Sequence, residues 1–427
     1  MESIKLDRIE LKNNRVDYFF TPSKGLRKFF DKEWHMFVEY DTDISNVPIS
    51  ILAIPFVANI MPLMWITDSV LWLEEIDRSY YDSIPKIKYA YQEMYSKYKL
   101  KGTVVTAKTI NNKYIIQREA AQLFSGGLDA MATCIRISDK KPLLINIYGW
   151  YSKDIEPNKV FDSDKKNISE FALRNEFESK FVKSNFARFI ISRAVDRTYG
   201  KKLKDSWWHG LQHGMAFIGL AIPLSYKYGV ENLYIASSFT LGERHICSSD
   251  PSVDIEIKYA SGGVVHDGFE LTRQDKIRLV VDKQKKINSD YPLRVCSFND
   301  KNCCKCEKCF RTILGLIAEG ADISKFEFNI EGDLLSKFKE YLKKDIKFFP
   351  PTKILGWNNI KNRMATNLDN IIEIELVEWL LNYDLKKEKR KALLKYRVFY
   401  FFPILKRKIS NIFKMIKLQM AQKRGQV

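Results

Sequence analysis

The chain has 427 residues, 45% of them hydrophobic, enough apolar material for two or three folded domains and too much for a disordered protein. Its formal charge of +18 suggests nucleic acid until it is placed: residues 386–427 hold 14 Lys or Arg and one acid, which leaves +5 for the body. Seven cysteines, five of them between Cys296 and Cys309, argue against a disulfide framework and for metal in a reducing compartment.

The charged opening "MESIKLDRIELKNN" lacks a secretory pattern, so the expected location is cytoplasmic. Residues 1–110 mix short apolar stretches with aromatics, end in the helical pattern "KIKYAYQEMYSKYKL", and are expected to form an N-terminal domain without a nameable motif. Within them the apolar run Ile49–Ile66 is near spanning length but is broken by Pro55, Asn59 and Pro62; it reads as buried strand and loop.

From residue 111 to 320 the pattern becomes alternating strands and helices, which predicts an α/β domain with a parallel sheet sandwiched by helices. "YIIQREAAQLF" reads as its first strand, "AMATCIRIS" as the following helix and "KPLLINIYGW" as the second strand. "NISEFALRNEFESKFV" reads as a helix, "FARFIIS" as the third strand, and "WWHGLQHGMAFIGLAIPLSYKYG" as a long helix tolerating Pro223. "NLYIASS" is the expected fourth strand, and "EKCFRTILGLIAEG" a helix closed by Gly320. Residues 321–385 read as a small helical appendage and 386–427 as a basic amphipathic tail.

Between the first strand and its helix lies Ser125-Gly126-Gly127-Leu128-Asp129. The two glycines let the backbone turn sharply and approach a ligand closely, and the following helix points its positive end at the same place. Ser125 adds a hydroxyl donor, and Asp129 can cap the helix or hold Mg²⁺ bridging phosphates. An ordinary Gly-Gly turn with an Asp at the helix start gives the same pattern.

The second cluster, "VCSFNDKNCCKCEKCFRT", spaces Cys296, Cys303, Cys306 and Cys309 as C-x6-C-x2-C-x2-C. Four thiolates in one tight loop suit tetrahedral Zn²⁺, with an iron–sulfur cluster as the alternative and Cys304 as a spare.

"SGGLDA" resembles the SGGxDS loop of the PP-loop, or N-type, ATP pyrophosphatases, with Ala130 in place of the second serine. "NCCKCEKC" is similar to the zinc-holding "NCGxCxxC" of the 7-cyano-7-deazaguanine synthase branch of that family, with Cys304 at the glycine position. The segment "VVHDGFELTRQDKIRLV" resembles the family's "PL..LTKxEI..L", which puts Arg273 where the family has a phosphate-contacting lysine, and Thr272 with Asp275 in a capping box.

The resemblance covers residues 112–320 and implies a Rossmann-like (HUP-type) sheet binding ATP. On that reading Ser125, Gly126, Gly127, Leu128 and Asp129 cradle the β- and γ-phosphates, Mg²⁺ assists, and Asp129 and Arg273 are catalytic. A carboxylate-containing substrate would be adenylated with release of pyrophosphate and then attacked by ammonia, free or from a partner subunit, to form an amide or nitrile. A non-catalytic nucleotide-binding partner in a multiprotein system and a tRNA- or nucleobase-modifying enzyme are the alternatives.

Other candidates come from strand ends, where ligands of such sheets bind. Tyr148 to Trp150 close the second strand and are like the family's "DYGQ", beside the adenine; an aromatic strand end in the core reads equally well. Ser237, Ser238, Glu243, Arg244, His245 and Asp250 line the polar loop after the fourth strand as substrate-side candidates. His209 and His213 stand at i and i+4, for which packed or hydrogen-bonded histidines outweigh metal; His266 with Asp267 is a candidate catalytic pair near Arg273.

In the tail, Leu405, Ile409, Ile412, Phe413, Ile416 and Met420 recur at helical spacing opposite lysines and arginines. Residues 396–424 are therefore expected to fold onto the body, lie on an anionic membrane or dock a partner protein, with nucleic acid the weaker reading.

Overall fold

The computed structural model of the protein describes residues 1–150, 159–243, 245–296 and 301–401. The chain divides into two compact units, Met1–Lys301 and Asn302–Val427.

The first unit is built on one eleven-stranded sheet flanked by helices. Its N-terminal part comprises β1 (Ser3–Lys12), β2 (Arg15–Pro22), β3 (His35–Tyr40), α1 (Ile54–Thr67), β4 (Val70–Asp77), α2 (Arg78–Met94) and β5 (Thr103–Ile110). The rest comprises β6 (Arg118–Leu123), α3 (Leu128–Arg136), β7 (Leu143–Tyr148), α4 (Lys159–Arg174), β8 (Ser179–Ser184), α5 (His213–Lys227), β9 (Val230–Ala236), β10 (Lys258–Tyr259), β11 (Gly262–Asp267) and α6 (Arg273–Ile287).

The strand order is β10-β11-β9-β6-β7-β8-β3-β2-β1-β4-β5. From β8 to β11 the pairings are all parallel. Counting those strands in chain order from β6, the order across the sheet is 3-2-1-4-5, and it reverses at β6. The carboxyl ends of β6, β7, β9 and β11 therefore share one edge of the sheet. Strand β6 buries Ala120, Ala121 and Gln122, as a central parallel strand covered on both faces must.

The sheet does not stop where the sequence pattern changes near residue 110. β3 pairs antiparallel with β8, Val38 opposite Ser184, so the N-terminal strands extend the same sheet. One apolar core runs beneath both parts, from Ile4 and Phe56 to Leu143, Leu220 and Val264.

Two expectations are corrected. The run Ile49–Ile66 is helical, as Ile49–Leu52 followed by α1, where strand and loop were expected. Pro55 falls in the first turn of α1, where a missing N–H costs nothing, and Asn59 donates through Nδ2 to the Pro55 carbonyl at 2.8 Å. By length and composition the helical run Ile49–Thr67 could cross a membrane, with mean hydropathy 2.0, but 94% of its apolar window is buried inside the fold, as a core helix would be.

The third strand is Ser179–Ser184, overlapping the end of the stretch read as helix, and not "FARFIIS". The helix ends at Arg174, and Glu176 turns the chain with φ 58°. Phe186, Phe189 and Ile190 still reach the core, but through a turn at Asn185 and an isolated bridge from Ile190 to Phe30. Periodicity registered their burial and mistook its geometry.

The second unit is helical: α7 (Glu307–Ala318), α8 (Leu334–Asp345), α9 (Pro351–Ala365), α10 (Ile374–Asn382) and α11 (Leu385–Tyr396). Phe338 is its centre, 5.4 Å from Phe310 and 5.3 Å from Trp357 between ring centroids. Arg363 grips the buried Glu319 carboxylate with two nitrogens, Nε at 2.9 Å and Nη2 at 2.7 Å. Asp333 caps α8, and Gly320, at φ 66°, closes the turn after α7 as expected. The amphipathic pattern from Leu405 to Met420 lies outside the described residues.

Candidate functional site

The glycine loop joins the carboxyl end of β6 to the start of α3. Gly126 has φ 71°, a conformation glycine adopts without strain, and a side chain there would point into open space. Gly127 is the N-cap of α3, and its N–H turns back toward Ser125 Oγ at 3.4 Å. Arg294 donates its N–H to the Gly126 carbonyl at 3.1 Å, bracing the loop from a distant segment. Leu128 and Ala130 face the core, and the buried Gln122 amide donates to the Ala130 carbonyl at 2.6 Å, tying the helix start to its strand.

Asp129 lies in the first turn of α3, its side chain 29% exposed. Its Oδ1 accepts a hydrogen bond of 3.0 Å from Lys276 Nζ, whose side chain is only 4% exposed. The same ammonium donates to the Ser237 carbonyl at the end of β9. Lys276 thus joins the ends of β6 and β9 where the strand order reverses.

Lys276 was not among the sequence candidates. Its signal was its place three residues after Arg273, on the same face of a helix whose start is set by a capping box. That box is present: Asp275 N–H donates to Thr272 Oγ1 at 3.2 Å, and Thr272 N–H to Asp275 Oδ2 at 3.0 Å. Arg273 is the first residue of α6 and is half-buried.

Ser237 is buried, and its hydroxyl donates to the Phe239 carbonyl at 2.8 Å; Ser238 is exposed beside it. Tyr148, at the end of β7, is 5% exposed, with its ring 4.1 Å from that of Phe161. Trp150 is 36% exposed and stacks on Trp208 with centroids 6.0 Å apart and planes within 4°. Asp250 is a buried N-cap for the turn that follows it, accepting from Ser252 N–H at 2.9 Å. Arg244 lies outside the described residues. A groove of about 1090 Å³, lined by Tyr89, Glu93, Ile246 and Ile255, meets only Asp250 among the expected residues.

The proposed pair of His266 and Asp267 is not formed, because adjacent strand residues point to opposite faces. His266 Nδ1 bonds to Asp254 Oδ2 at 2.7 Å, with both side chains essentially fully buried. Burial pushes the Asp254 carboxyl up, with the His266 hydrogen bond opposing it. Asp267 instead accepts from Thr133 Oγ1 at 2.8 Å and pairs with Arg136 at 3.2 Å, fastening α3 to β11.

His209 and His213 are hydrogen-bonded, as the sequence favoured. A π-helical turn, Trp207–Gln212, leads into α5 and carries His209, whose Nδ1 lies 3.1 Å from Asp205 Oδ1. That hydrogen bond raises the His209 pKa. His213 Nδ1 lies 2.8 Å from the Trp208 carbonyl and 2.8 Å from Ser248 Oγ. A carbonyl only accepts, so Nδ1 carries the proton and Nε2 faces Cys247 Sγ at 3.5 Å. Burial lowers His213 to about 4 and raises Cys247 to about 12, so the pair is a neutral thiol and imidazole at neutral pH. Nothing in the spacing of residues 213 and 247 announced that contact.

The cysteine loop forms the expected cluster. The sulfurs of Cys296, Cys303, Cys306 and Cys309 lie within 4.8 Å of one another and can hold a metal ion. Cys309 Sγ is 3.5 Å from Cys306 Sγ and 3.8 Å from Cys303 Sγ. Two thiolates bound at about 2.3 Å to one tetrahedral zinc stand ~3.8 Å apart, so these spacings suit Zn²⁺. The hydrogen bond with Cys306, with burial next, pushes the Cys309 thiol far up, a penalty that a bound cation would reverse. Cys304 stands outside the set as a spare, its Sγ 3.6 Å from the Asn302 carbonyl and its backbone at φ 51°. Among known proteins no family model, no curated protein and no solved structure matches this chain.

Proposed function

We propose that the loop Ser125–Asp129 binds the phosphates of Mg·ATP and that the chain is a PP-loop ATP pyrophosphatase-type ligase on a Rossmann-like (HUP-type) sheet. The observation that carries the reading is the placement of a Ser-Gly-Gly-x-Asp loop at the strand-order reversal of a 3-2-1-4-5 parallel sheet, with a buried lysine across from it.

Backbone N–H groups at Gly126, Gly127 and Leu128 supply anion contacts, and the α3 dipole adds to them. Asp129 Oδ2 has no protein partner among the described residues, which fits a carboxylate holding Mg²⁺ through one oxygen. Bound there, Mg²⁺ would supply charge neutralisation at the phosphates. Arg273 and Lys276 would bear on the leaving pyrophosphate.

The substrate would be a small carboxylate-containing molecule, adenylated with release of pyrophosphate and then attacked by ammonia with loss of AMP to give an amide; a nitrile would follow only if a second ATP activated the amide oxygen and carried it away on AMP. Trp150, Trp208 and His209, at the same edge of the sheet, are the proposed walls for it. The cysteine cluster, as structural zinc, would stay out of the chemistry. The reaction is placed in the cytoplasm, with residues 396–424 as a contact to a membrane surface or partner protein.

Ala130 favours a second reading, a non-catalytic nucleotide-binding partner, because that position is 6% exposed and offers no side-chain donor. Release of AMP and pyrophosphate from Mg·ATP and ammonium, measured over a panel of carboxylates with Asp129→Asn as control, separates the two. Turnover lost in Asp129→Asn establishes the ligase; tight ATP binding without cleavage across the panel supports the second reading.

A further inference from the structure

We infer that Lys276 is the cation that receives polyphosphate at this loop, and that it does so by leaving Asp129, so that metal and polyphosphate must arrive together. The inference rests on the nucleotide reading above and assigns how that site is regulated.

A lysine side chain that is 4% exposed calls for an explanation, since an apolar residue of the same length would be at least as stable there. Asp129 is not that explanation. Its side chain is 29% exposed and open to solvent, so the carboxylate does not need the lysine, whereas the lysine needs the carboxylate. An ammonium carries three donors. Among the described residues Lys276 Nζ meets two acceptors, Asp129 Oδ1 at 3.0 Å and the Ser237 carbonyl, which leaves its third N–H for a ligand.

The ammonium also sits where an anion would be held, between the ends of β6 and β9 and across from the N-terminus of α3. The Thr272–Asp275 capping box fixes the first turn of α6, and Ile277 and Val280 anchor its buried face, so the lysine is delivered to this point by the fold. Arg273, one turn earlier, belongs to the same face.

While Asp129 Oδ1 neutralises Lys276, a divalent cation on Oδ2 is held more weakly, because the two cations repel across one carboxylate. A metal alone is therefore disfavoured at the loop, and so is a polyphosphate alone, because Lys276 is already paired and Asp129 repels it. Together they exchange partners: Mg²⁺ takes Asp129 and the polyphosphate takes Lys276.

Binding to the full chain, with Mn²⁺ as a spectroscopic probe and pyrophosphate followed by calorimetry, tests this. Wild type should bind Mn²⁺ alone weakly and Mg·pyrophosphate well. In Lys276→Met, Mn²⁺ alone should tighten and Mg·pyrophosphate weaken, each roughly ten- to a hundredfold.

Asp129→Asn is the reciprocal variant and does not depend on Lys276→Met folding. It should bind metal-free pyrophosphate more tightly than wild type, since Lys276 is released. Unchanged binding of both probes in Lys276→Met, or no gain of metal-free pyrophosphate in Asp129→Asn, makes the lysine a structural counter-ion and overturns the inference. Wild type that binds neither Mg·ATP nor Mg·pyrophosphate overturns the nucleotide reading itself.

Discussion

Cys303, Cys306 and Cys309 meet within seven residues of chain, whereas Asp129 meets Lys276 across 147. The cysteine cluster is a local device: two C-x2-C spacings and one turn bring the thiols close enough to share an ion. The glycine loop is local only in its backbone. What makes it a candidate site is the sheet order that brings β9 beside β6 and the helix that returns a lysine over both. A motif of the first kind reports its own geometry, while one of the second kind reports only half of it.

The difference predicts how each region breaks. Cys309→Ser, or a strong chelator, should remove the zinc and with it a large part of the roughly 10 kcal/mol that a structural zinc supplies. Metal analysis by mass spectrometry and a thermal melt check this, and a chain that melts unchanged without zinc would make the cluster dispensable.

Among contacts made across long stretches of chain, the largest effect comes from pH at His213, which meets Cys247 and Ser248. His213 has a folded pKa of about 4, below the ordinary 6.5, so the unfolded chain takes up a proton first as pH falls. Its contribution is full above pH 6.5 and is lost between 6.5 and 4, up to about 3 kcal/mol. Denaturant midpoints across that range should show the loss in wild type and a flatter profile in His213→Asn.

A smaller effect is expected at Gly149, where φ is 116° and a Cβ would lie 1.7 Å from the Ser184 carbonyl oxygen. Gly149→Ala should cost about 2 kcal/mol through strain where β7 ends beside β8. A melting temperature equal to wild type would show that the strand end relaxes. The smallest effect belongs to Cys304→Gly. It relieves a non-glycine residue at φ 51°, so stability should rise by about 0.5–1 kcal/mol with zinc content unchanged. Loss of zinc in that variant would make Cys304 a ligand after all.

What was legible in advance followed the range of the forces involved. The strand–glycine loop–helix unit, the Thr272–Asp275 box, the Gly320 helix end and the cysteine set all depend on contacts a few residues apart, and all were readable. The run Ile49–Ile66 was misread because a helix buried on every side has no apolar stripe, and two prolines in it look like breaks. "FARFIIS" was misread because burial by a turn and burial by a strand leave the same apolar letters. His266 was assigned to its neighbour Asp267, when strand alternation sends it instead to Asp254, twelve residues back.

Composition, charge and spacing by themselves determined an α/β chain with a strand–glycine loop–helix unit, four thiols placed to hold a metal and a separately charged tail. Those properties are set by local backbone geometry and by counting. Only the tertiary structure decided that residues 1–110 extend the same sheet, that Lys276 occupies the mouth of the loop and that Cys247 faces His213. Each of those depends on which strands lie side by side, and pairing energies between distant segments leave no mark on the spacing within either one.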